Sequence, residues 1–172
     1  MRKIAASRNY RIYRLAQANQ VMLDAAKANL KTEVENFANT LHTISGEDDD
    51  RFVQFIKWIQ NNVQGALGQA IIKALASSDN DLEKFASQPA MVEWMAKITA
   101  KQSALTVIGG SILRAVNEIV EQTNPEALNG GPTNPDFITL ASSIIYEAID
   151  QSQAIPAEAK GGVKAILGAF LG

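Results

Sequence analysis

The stretch LDAAKANLKTEVENFANTLHTI, residues 23–44, decides the fold. Leu23, Leu30, Phe37 and Ile44 recur every seven residues, with Val34 and Leu41 between them. Apolar residues at that spacing line one side of an α-helix, so the stretch predicts a helix with a single apolar seam. A seam of this kind is also how helices of separate chains pair, and these six residues are the expected oligomer seam.

Toward the N-terminus the helical pattern extends back to about Lys3, through Ile12, Leu15, Ala16 and Met22. The seam is imperfect there, because the heptad puts Tyr13, Gln20 and Lys27 at one of its two core positions. Residues 1–20 hold Arg2, Lys3, Arg8, Arg11 and Arg14 and no acid. With a net charge of −2 for the whole chain, that arm carries +5 and the remainder −7. Tyr10 and Tyr13 interleave with the arginines. Guanidinium groups meet phosphate, and tyrosine rings meet bases or lipid headgroups, so nucleic acid, membrane and an acidic protein surface are the partner classes the arm fits. A helix from residue 3 to residue 44 is about 60 Å long, whereas a compact domain of this size is about 40 Å across. Something like 20 Å should overhang, with a partner to cover it.

Toward the C-terminus the helix should stop at Ser45-Gly46, and Glu47-Asp48-Asp49-Asp50 should start the next one, acids complementing its positive end. The acidic run lacks the alternating ligands, the glycine and the terminal glutamate of a calcium loop. A second helix is predicted from Asp49 to Ala76, with Phe52, Phe55, Ile56 and Ile59 inward and Ala66, Ala70 and Ala74 making a small-residue surface. A short helix is predicted around residues 82–86. A third long helix is predicted from Pro89 to Gln122, interrupted at Gly109-Gly110, where a close helix crossing is the preferred reading. Residues 123–136 hold three prolines and two glycines and read as a plain connector. A fourth helix follows from Pro135 to about Gln151, capped by Asn134. The tail, residues 156–172, is apolar and glycine-rich. Val163, Ile166, Leu167, Phe170 and Leu171 make it either a docking helix or a membrane-seeking segment.

The expected fold is therefore all-α: one domain over residues 1–172, an elongated bundle of four main helices with short connecting and C-terminal ones. Twenty-six alanines and the lack of sustained β-branched alternation agree with it. The absence of cysteine excludes disulfides, thiolate catalysis and Cys-based metal sites. His42 is the one histidine, expected at a solvated flank of the seam, and one histidine cannot supply the two Glu-x-x-His motifs of a di-iron bundle. No nucleophile elbow or phosphate-cradling glycine loop appears, although Glu118 with Glu121 and Glu147 with Asp150 are carboxylate pairs at helical spacing. No enzyme activity, cofactor or metal is expected. No apolar run reaches a membrane span and no signal peptide is visible, so the expected location is cytoplasm or virion. The function expected from these readings is a structural subunit of a multi-copy assembly, with a virion component such as an internal, ejection or connector protein of a bacterial virus as the favoured class. The alternatives are a peripheral membrane-active protein inserting its tail and a cytoplasmic coiled-coil adaptor.

Overall fold

In a computed structural model of the chain, residues 2–62, 64–76, 89–130 and 134–168 are described, with side chains of residues 2–18, 76 and 89–93 left aside. Every regular element among the described residues is helical. The six α-helices are α1 (Arg2–Ser45), α2 (Asp49–Asn61), α3 (Ala66–Ala76), α4 (Pro89–Thr123), α5 (Pro135–Gln151) and α6 (Lys160–Gly168). Short 3-10 turns at Pro125–Leu128 and Ala157–Ala159 lead into α5 and α6. The all-α class expected from the sequence is the class observed.

The central packing is α1 against α4. Leu30 and Lys31 share a groove with Ile119, whereas Asn36, Thr40 and Thr43 share one with Lys101, Ala104 and Ile108. The two helices thus run antiparallel, and their register brings about Leu23 level with the end of α4. Helix α5 packs against both, α3 against α4, and α6 closes the bundle by touching α2, α3 and α5.

The seam residues Leu30, Val34, Phe37, Leu41 and Ile44 are buried, and Leu23 is half-buried against the same core. Their partners belong to this chain, so the expectation of an oligomer seam at these six is corrected: they form the chain's own core. The heptad is not kept either. Ala26 is buried where the seven-residue repeat points to Lys27, which is exposed. An ordinary helix of 3.6 residues per turn drifts against a 3.5 repeat, and nothing here under-winds it.

Helix α1 stops where glycine permits. Gly46 has φ +117°, its N–H donates to the Thr43 carbonyl at 3.3 Å, and the Glu47 N–H donates to the His42 carbonyl at 2.9 Å. This pair of bonds is the Schellman arrangement. Asp48 then caps α2, its carboxylate accepting from the Asp50 and Arg51 N–H groups, with Asp49 and Asp50 in the first turn.

Two expectations are corrected. The helix expected from Asp49 to Ala76 is two, because Asn62 ends α2: its N–H and its side-chain amide both bond to the Trp58 carbonyl, and Gly65 turns the chain into α3. The apolar spacing continues across the break, with Ile59 and Ile71 both buried, so periodicity alone does not register it. Gly109-Gly110 does not interrupt α4; Gly109 is buried, whereas a Cβ on Gly110 would meet nothing within 4 Å. The part of α4 from Trp94 to Thr123 contains an 18-residue window of mean hydropathy 1.3, long and apolar enough to cross a membrane by composition, with 39% of that window buried. Core helices pass the same test, and Ile98, Leu105, Ile112, Val116 and Ile119 face the bundle interior. The short helix expected at residues 82–86 lies outside the described residues.

Candidate functional site

His42 is not simply solvated: its Nε2 lies 2.8 Å from an Asp49 carboxylate oxygen, and its ring packs 5.3 Å from Phe52 across the α1–α2 corner. A histidine held by a carboxylate needs a nucleophile to make a triad. The neighbouring Ser45 hydroxyl donates instead to the His42 main-chain carbonyl at 2.8 Å, closing the last turn of α1. Glu147 accepts from Gln151, and Asp150 pairs with Lys164 at 2.7 Å, so this carboxylate pair is engaged in holding helices. Glu118 and Glu121 are exposed on α4. Among the described residues no three metal-ligating side chains converge.

The tail residues Val163, Ile166 and Leu167 are buried, packed as part of the core. Phe170 and Leu171 lie outside the described residues. Two lysines of α6 grip the end of α5: Lys160 Nζ reaches the Asp150 carbonyl at 2.6 Å, and Lys164 Nζ sits 5.7 Å from the Tyr146 ring centroid. Cations at a helix C-terminus complement its dipole. Gly162 sets the docking distance, since a Cβ there would run into Ile56 Cγ2 and come within 2.9 Å of the Ile56 carbonyl oxygen. For this segment to enter a bilayer, α6 must first leave the core.

A groove of about 360 Å³ lies between α1, α4 and α5. Leu30, Ile119 and Ile144 form its floor, and Lys27 and Lys31 stand opposite Glu147 and Gln151. Its size is at the lower edge of small-molecule sites, and its rim presents both charge signs.

The remaining surface is α1 itself. The arm residues Arg2, Lys3, Arg8, Tyr10, Arg11, Tyr13 and Arg14 are all on its N-terminal half, where the backbone is helical and the side chains lie outside the described ones. From Asn19 to Ala25 every residue except the half-buried Leu23 is exposed, and the first buried residue among the described side chains is Ala26. Val21 is 68% exposed and Met22 55%, two of the few large apolar side chains left open among the described residues. On the far side of the core-facing seam, Ala25, Ala28 and Thr32 continue the exposed stripe that Val21 begins. The sequence reading singled out the arm but passed over this stripe, although its four-three-four spacing of small uncharged residues was legible.

The chain matches no protein-family model, no curated protein sequence and no solved structure.

Proposed function

We propose that this chain is a non-enzymatic subunit of a multi-copy assembly, joined to its neighbours through α1. The observation that carries the reading is the mismatch between that helix and the core it belongs to. Helix α1 has 44 residues, about 66 Å at 1.5 Å per residue, against about 40 Å across for a compact domain of this size, and among its described side chains burial begins at Ala26. The 24 residues before it, Arg2 to Ala25, add about 36 Å of helix carrying the five basic residues, with Val21 and Met22 uncovered at its root. A helix of that length gains little from its own propensity and is ordinarily stabilised by packing, which a neighbouring copy along α1 would supply. Within the class we favour a virion component, an internal, ejection or connector protein of a bacterial virus, on the analogy that such subunits are small, helical, cysteine-free and without catalytic residues.

Light scattering of the untagged protein at low and high salt tests the reading. A discrete oligomer is the expected result. A monomer at every concentration would overturn it and favour the adaptor, which presents α1 to a different protein. The membrane alternative has one observation in its favour, the apolar window of α4. Co-flotation with anionic vesicles would support that alternative, and protein remaining at the bottom of the gradient would retire it.

A further inference from the structure

Helix α1 with the turn that follows it is a rod with two poles of opposite charge. Its basic pole is Arg2, Lys3, Arg8, Arg11 and Arg14. Residues 33–50 hold Glu33, Glu35, Glu47, Asp48, Asp49 and Asp50 and no lysine or arginine. Those last four acids are exposed at the Gly46 corner and the start of α2. Two bases from elsewhere stand near: Arg51 beside Gly46, and Lys101 beside Thr40 and Thr43, leaving an acidic excess. The basic charges centre at about residue 8 of α1, and the acidic ones cluster at its other end and in the turn just past Ser45, roughly 50 Å away. Charges that far apart exceed the Debye length of about 8 Å several times over, so the poles of one chain cannot neutralise each other.

We infer that α1 pairs antiparallel with α1 of a second copy of this chain, the basic arm of each lying along the acidic half of the other. This deepens, and rests on, the reading of the chain as an assembly subunit joined through α1. Superposing the poles pairs residue i of one copy with about residue 51 − i of the other, so the helices cross close to Ala25. The exposed stripe Val21, Ala25, Ala28 and Thr32 is centred at the same place, independently of the charges. It is uncharged and its side chains are short, which lets two helix axes approach closely. The pairing is isologous, so one patch serves both copies and closes on itself. Geometry permits it, because the seam of α1 faces its own core and the stripe faces away, so the two cores lie on opposite sides of the pair. A parallel pairing would stack basic pole on basic pole and acidic on acidic.

The absence of native cysteine makes cross-linking a clean test. In the full chain, Ala18→Cys of one copy should come level with Thr32→Cys of another, and disulfides form only when Cα atoms are within about 7 Å. Thr32 is exposed. Under mild oxidation a mixture of the two variants should give a disulfide-linked heterodimer, while each variant alone stays unlinked. Arg11→Glu with Arg14→Glu should weaken self-association about tenfold or more at low salt. Cross-linking of A18C with itself would show a parallel pair and overturn the inference. An oligomer that forms normally with R11E/R14E and gives no A18C–T32C product would also overturn it, leaving the assembly reading in place. A wild-type monomer at every concentration would overturn both.

Discussion

Two glycines on different helices give opposite expectations for the same substitution. At Gly162 a Cβ collides with Ile56, main chain included, so Gly162→Ala must push α6 off α2. Overpacking of that kind costs about 1–3 kcal/mol, which urea unfolding would register as a lowered midpoint. At Gly110 a Cβ meets nothing within 4 Å, and the position is helical, so Gly110→Ala should raise stability by about 0.5–1 kcal/mol in the same experiment. The sequence shows three adjacent-glycine pairs, Gly109-Gly110, Gly130-Gly131 and Gly161-Gly162, and does not tell Gly110 from Gly162. What separates them is the helix on the other side. At the α1 corner, Glu47 has φ +64°, the left-handed region that favours glycine. Glu47→Gly should therefore relieve strain and stabilise the fold by a few tenths to about 1 kcal/mol, visible as a rise in melting temperature.

Among the elements, those legible in the sequence are the ones whose ends carry local chemistry. Gly46 ends α1, Asp48 opens α2, and Asn134 with Pro135 opens α5, each an interaction within a few residues. Asn134 does more than cap. Its carboxamide oxygen accepts from the Asp136 N–H at 3.0 Å, while its nitrogen donates to the Ala127 and Asn129 carbonyls at 3.2 and 2.7 Å. One side chain thereby fixes both the start of α5 and the 3-10 turn before it, inside what reads as a plain connector. Asn134→Ala should cost about 1–2 kcal/mol in denaturant unfolding, more than loss of an exposed cap alone. The α2–α3 break was not legible, since its signal is the Asn62 side chain bonding back to Trp58, and asparagine is tolerated within helices too. Nor was the role of Gln102, whose buried amide donates to the Ala74 carbonyl at 3.2 Å and ties α4 to α3 across 28 residues of sequence.

For the whole molecule, the arm and the core are expected to be separable. No residue from Asn19 to Ala25 is buried, and a chain lacking residues 1–18 is expected to keep its unfolding free energy within about 1 kcal/mol while losing self-association. Coupled loss of both, seen by parallel denaturation and light scattering, would place the arm inside the core instead. The sequence by itself determined the helical class, the α1 core face and the separation of charge, because each depends on residue type and on a helical period that holds whatever the neighbours are. Only the tertiary structure decided that the α1 seam is covered by the chain's own α4 and α5, that the α6 tail is docked through Gly162, and that the face left open is Val21, Ala25, Ala28 and Thr32. An apolar stripe states that something must cover it, whereas which helix does so is settled by how all of them pack at once.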